Sequence, residues 1–169
     1  MALALVAVAA CSTENTRIRD ARDAFYGAIS RYDHNAIRAA VVADYVSADR
    51  GRFFNLDSLI SDVTLLEAES LSVEFAFVDS TTQVDPPMGW IVYRSRRVLT
   101  GPRYTDTTYA VESAVFKRSG NGWKLTLLHR TPVASAVEFF DPGAAAAPPA
   151  APAPAPAQPR PARPRPPNG

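Results

Sequence analysis

Apolar and polar positions follow two different periods along this chain, and the change falls near residue 70. In "TRIRDARDAFYGAISRY", Ile18, Ala21, Phe25, Ile29 and Tyr32 recur every three or four residues. That spacing predicts an amphipathic helix, with Asn15 or Thr16 as its cap. "NAIRAAVVADY" predicts a second helix with Ile37, Ala40 and Val41 inward, and a third follows Asn55 with Leu56, Leu59, Ile60 and Val63. From Leu71 the period becomes two. Leu71, Val73, Phe75 and Phe77 share one face, as do Ile91, Tyr93, Ser95 and Leu99. Residues 105–118 are rich in Thr, Tyr, Val and Phe, which suit a half-buried strand. The last strand, in "GNGWKLTLLHRTP", sets Trp123, Leu125, Leu127 and His129 on one face, toward the helices. The breaks "DPPMG", "TGPR" and "SGNG" are turn-like. Helices first and then four antiparallel strands predict an α+β fold whose twisted sheet curls over the helices and leaves a hollow.

The two ends fall outside this pattern. From Ala144 the chain is almost entirely Ala, Pro and Arg, and ten of its last 26 residues are proline. Proline lacks the backbone donor that helices and sheets need, so 144–169 is expected to be a disordered, extended tail. At the other end, Ala2 to Ala10 is wholly apolar but far shorter than the roughly 20 residues of a membrane-spanning helix. It reads as the end of a secretory segment. Val8-Ala9-Ala10-Cys11 resembles a bacterial lipobox, in which the cysteine thiol accepts the acyl chain. The expected organisation is a lipoprotein-type signal segment at 1–11, a folded domain at 14–140 and the tail. The expected address is the bacterial cell envelope, through a lipid anchor at Cys11 in the membrane, with periplasmic or secreted forms as the alternative.

Charge and chemistry exclude several classes. Net charge is +1, and Arg160, Arg163 and Arg165 lie in the tail, so the rest carries −2. With no basic stripe among aromatics, no nucleic-acid partner is expected. Cys11 is the sole cysteine, and His34 and His129 stand far apart without cysteines nearby, so no disulfide and no metal site are expected. No phosphate-binding or dinucleotide motif occurs and no G-x-S-x-G, and no cofactor is expected.

Three stretches carry a family resemblance: "RYDHNAI", "ADYVSADRG" and "AVFKRSGNGWKLTLLHRTP". Over residues 16–133 the chain resembles the nuclear-transport-factor-2-like (SnoaL-like) superfamily, with Trp123, His129 and Thr131 in its closing hairpin. The resemblance implies a cone-shaped, curved antiparallel sheet packed on N-terminal helices. Its members include isomerases, dehydratases and cyclases besides non-enzymatic domains, and domains of this fold commonly dimerise through the sheet. The isomerase-like pattern would match Tyr26 on the first helix and Asp49 before Arg50-Gly51, where isomerases usually carry Pro after the Asp. In that role Asp49 would remove a proton next to a carbonyl and a neutral donor would hold the enolate oxygen. His129 is a candidate base or ligand contact. Trp90 and Tyr93 are candidate ligand contacts, and Arg97, on the Tyr93 face, could meet an acidic group. The period leaves the face of Glu112 open.

With no compelling acid–base pair, the preferred expectation is a non-enzymatic domain that binds a small apolar molecule or a protein partner. The alternatives are a small isomerase, dehydratase or cyclase using an Asp/His pair, and an assembly module forming a homodimer through its sheet. Incorporation of radiolabelled palmitate by the wild-type chain, abolished in Cys11→Ala, is the expected result for the lipid anchor; equal labelling of both would remove that reading.

Overall fold

The computed structural model describes the backbone of residues 3–133 and the side chains of residues 13–133 other than Asp79. The expected tail at 144–169 lies outside the described residues, as does the side chain of Cys11. Three helices precede or interrupt a six-stranded sheet: α1 (Leu3–Ser30), α2 (His34–Ala40), β1 (Val41–Asp49), β2 (Arg52–Asn55), α3 (Leu56–Ala68), β3 (Ser72–Asp85), β4 (Met88–Thr100), β5 (Thr105–Ser119) and β6 (Gly122–Val133). Among the described residues no helix is long and apolar enough to cross a membrane.

The apolar stripe of α1 buries Ile18, Phe25, Ala28 and Ile29 against the sheet. Asn15 and Thr16 lie inside α1 instead of capping it, because the helix begins at Leu3. It ends where Tyr32 adopts a left-handed backbone, and the Tyr32 hydroxyl reaches across to donate to the Leu71 carbonyl. Asp33 then caps α2, its carboxylate accepting from the Ala36 N–H at 2.9 Å. Asn55 does the same for α3 through the Ser58 N–H, also at 2.9 Å.

The second expected helix stops early. α2 ends at Ala40, and Val41 to Tyr45, read as helical, open strand β1. The β-branched Val41 and Val42 suit either state by pattern, and pairing with a distant strand decides between them. β2 was likewise not foreseen. The sheet runs β2-β1-β6-β5-β4-β3, curved and unclosed. The four later strands are antiparallel, as expected, but β1 joins β6 in parallel, so the sheet is mixed.

Register matters most in β6. Val115 faces Leu127 and Phe116 faces Leu125, which leaves Thr126 as an extra residue without a partner on β5. This β-bulge reverses the side-chain alternation beyond it. Trp123 and Leu125 are buried, but Leu127 and His129 then turn to the exposed outer face, while Leu128 and Arg130 turn inward. The single stripe expected from Trp123 to His129 is therefore broken halfway.

Candidate functional site

Every element except α2 sends residues to one cavity of about 200 Å³. α1 contributes Phe25, Tyr26 and Ile29, which lie within one helical turn of each other. α3 contributes Leu59, Val63 and Leu66, with Asp62 at the exposed rim, and the edge strand β2 adds Phe54. Val73 and Phe75 of β3 complete the apolar wall with Leu128 of β6. The polar end is built from Tyr45, Ser47 and Asp49 of β1, Arg97 of β4, Glu112 of β5 and Arg130 of β6. Period-two alternation puts these groups inward: Glu112 shares its face with buried Ala110, Ala114 and Phe116, and Arg97 with buried Tyr93 and Ser95.

Glu112 is the anchor of that polar end. It is only 3% exposed. A carboxylate this deep is tolerated where donors replace its water. The Tyr26 hydroxyl donates to one of its oxygens, and the Ser95 hydroxyl donates to the other at 2.5 Å. Arg130 Nε lies 3.5 Å from the same oxygen as Ser95, a charge contact without an aimed hydrogen. Tyr26 spends its one proton on Glu112, so the 3.1 Å contact between the Tyr26 and Tyr93 hydroxyls has Tyr93 as donor. Burial, with the Glu112 charge second, pushes both tyrosine hydroxyls well above their ordinary value of 10. Burial pushes the Tyr45 hydroxyl up to about 12.

The second carboxylate is held more loosely. Asp49 Oδ2 stands 3.9 Å from Arg130 Nη1, and the buried Asp49 Oδ1 has no hydrogen-bond partner. Asp49 closes β1 just before the tight turn in which Arg50 and Gly51 both take positive φ. Arg97 is half-buried. Burial, and then the Arg130 charge, draw its guanidinium below the ordinary arginine value, while Asp106 and Asp49 act in the opposite sense.

Of the residues singled out from sequence, the structure brings Asp49 and Tyr26 to the same cavity. Tyr93 is buried directly behind Tyr26, with its ring edge-on to the Tyr26 ring. His129 is exposed on the outer face, where its neighbours across the sheet are Ala48 and Ser113. The bulge at Thr126 is the reason. Trp90 also lies on the outer face, between Gln83 and Val115, because it alternates with buried Gly89 and Ile91. Sequence reading missed Tyr45, Leu128 and Arg130. Tyr45 was hidden in an expected helix, and nothing local in "WKLTLLHR" marks the bulge that turns Arg130 inward. Among the described residues, no three His, Cys, Asp or Glu side chains gather as they would for a metal ion.

No family model and no curated protein matches this chain. Solved structures do. A candidate dehydratase of the NTF2-like family from Streptomyces avermitilis is 20% identical, with a TM-score of 0.65 over 73% of this chain and 99% of that one. An NTF2-like superfamily protein from Salmonella enterica serovar Typhimurium is 12% identical, with a TM-score of 0.64 over 74% and 94%. The S. rosetta CaMKII hub is 15% identical, with a TM-score of 0.59 over 70% and 96%. The chain has the nuclear-transport-factor-2-like fold.

The raised tyrosine values have a pH consequence. The fold keeps protons on Tyr26, Tyr45 and Tyr93 that an unfolded chain releases near pH 10, so unfolding liberates protons above that pH. The stabilisation is complete below about pH 10 and is lost as pH rises beyond it. Urea unfolding followed above pH 10 should show stability falling with pH, and Tyr45→Phe should make the fall shallower.

Proposed function

We propose that this domain binds a small, mostly apolar molecule in the cavity under its curled sheet, without catalysing a reaction on it. The observation that carries this reading is the cavity itself. A hollow of about 200 Å³ persists among Phe25, Ile29, Leu59, Leu66, Phe75 and Leu128, side chains large enough to have closed it. A well-packed interior holds few such voids, and an apolar void forfeits contacts that a ligand restores.

Proton transfer between Asp49 and Tyr26 is the alternative, and the geometry favours it less. An isomerase of that kind needs a free donor for the developing oxyanion, and the Tyr26 proton is committed to Glu112. His129, the other candidate base, faces away from the cavity. Asp49 has Arg130 at 3.9 Å, a contact that a substrate proton on that oxygen would have to displace.

The outer face supports a second reading, assembly of two copies through the sheet. Val46, Leu127, Val115 and Trp90 fall in register across four adjacent strands, and three of them are 37–39% exposed. A contiguous apolar row on a solvent-facing sheet is characteristic of an interface, and the fold is shared with a hub domain. The reading also keeps the envelope address, which the lipobox-like Val8-Ala9-Ala10-Cys11 supports.

Two measurements test these proposals. In a thermal-shift screen of small apolar compounds, a ligand at a hundredfold excess over its Kd should add about 2.7 kcal/mol and raise the melting temperature by several degrees. Leu59→Trp, which fills the cavity, should abolish the response while remaining folded; a wild-type chain indifferent to every compound would defeat the binding proposal. In sedimentation equilibrium the wild type should be a dimer, and Trp90→Glu with Leu127→Glu should make it a monomer with unchanged circular dichroism. A monomeric wild type at high concentration would refute assembly.

A further inference from the structure

The polar end of the cavity is unevenly answered by the protein's own groups. Glu112 is satisfied by Tyr26, Ser95 and Arg130. Arg97 is not: among the described residues it has no carboxylate within the 4.0 Å of an ion pair, and its buried Nε has no acceptor. A half-buried guanidinium with no carboxylate in ion-pair contact leaves its inner donors unmet: Asp106 and Asp49 act on Arg97 only from beyond 4.0 Å, and Arg130 lines the same cavity with a second positive charge. Asp49 feels Arg97 electrostatically but stands farther away than an ion pair, and its buried Oδ1 lacks a donor. One cation lacks an anion and one carboxylate oxygen lacks a proton donor, and both line a single hollow.

Taking the binding reading above as its premise, we infer that the ligand is a monocarboxylic acid with an apolar tail and a hydroxyl beside the carboxyl group. The carboxylate pairs with Arg97, and the hydroxyl donates to Asp49 Oδ1. The planar guanidinium fork matches a carboxylate in shape as well as charge. Arg97 offers one charge without an ion-pair partner, which suits a monoanion better than a doubly charged phosphate. Asp62 is the remaining carboxylate on the lining, and it stands at the exposed rim where water screens it. A neutral hydroxyl suits Asp49, whose charge already has Arg130 at 3.9 Å. The tail lies along Phe25, Leu59, Phe75 and Leu128. Size agrees as well: a dry cavity of about 150 Å³ takes benzene, and about 200 Å³ leaves room for a ring and a short acid chain.

Calorimetric titration of the full chain with three probes tests this: 2-hydroxy-3-phenylpropanoic acid, 3-phenylpropanoic acid and the methyl ester of the latter. The wild type should bind the hydroxy acid tightest and the plain acid at least about tenfold more tightly than the ester. Arg97→Met should bind acid and ester alike. Asp49→Ala should lose the advantage of the hydroxyl and keep that of the carboxylate. An ester that binds the wild type as well as the acid does would overturn the inference and leave the cavity reading standing, as would an acid preference that survives in Arg97→Met. If none of the three binds the wild type, this inference falls, and the cavity reading is decided by the thermal-shift screen alone. The acid–ester comparison in the wild type is decisive even if a variant does not fold.

Discussion

A carboxylate buried to 3% exposure on the middle strand of a curled sheet must be met by donors from other elements, and in this protein those donors hold the domain together. Glu112 of β5 takes the Tyr26 hydroxyl from α1, the Ser95 hydroxyl from β4 and the Arg130 charge from β6. Four elements converge on one group. Removing any donor leaves charge in a low-dielectric interior, so the network selects one arrangement of helix on sheet more sharply than apolar contacts alone do. The aromatic rings around it, Phe25, Tyr26, Phe77 and Tyr93, make edge or tilted contacts that shield the network from water. Arg22 closes the same region by lying over the Phe77 and Tyr93 rings.

The bulge at Thr126 decides what the cavity contains. Without it Arg130 and Leu128 would face solvent, and Leu127 and His129 would face the helices. With it, the cavity gains a second guanidinium and an apolar wall, and the outer face gains Leu127 beside Val46 and Val115. One extra residue thus equips both sides of the sheet. The concave side becomes a hollow with an apolar wall and a charged end, and the convex side becomes an apolar surface that a second copy could cover.

Much of the fold was legible in the sequence because it depends on short-range periodicity. α1 and α3 follow their three-and-four spacing, and β3, β4 and β5 follow their alternation. Tyr26, Tyr93 and Arg97 fall inward for that same reason. Two of the errors, at β1 and at His129, have one physical cause. Val41 to Tyr45 fit both a helix and a strand, and only pairing of β1 with β6, some eighty residues away, selects the strand. His129 obeyed its local period, but the extra residue at Thr126 is defined by the partner strand β5 and leaves no mark on its own segment.

What the amino-acid order determined by itself is therefore most of the elements, the apolar faces of α1, α3, β3, β4 and β5, and the class of fold, since these arise from interactions within a few residues. Tertiary structure alone decided which charges share a cavity: Asp49, Arg97, Glu112 and Arg130 come from four strands and meet only when the sheet curls and shifts register. Register is a property of two strands at once, and neither strand carries it alone.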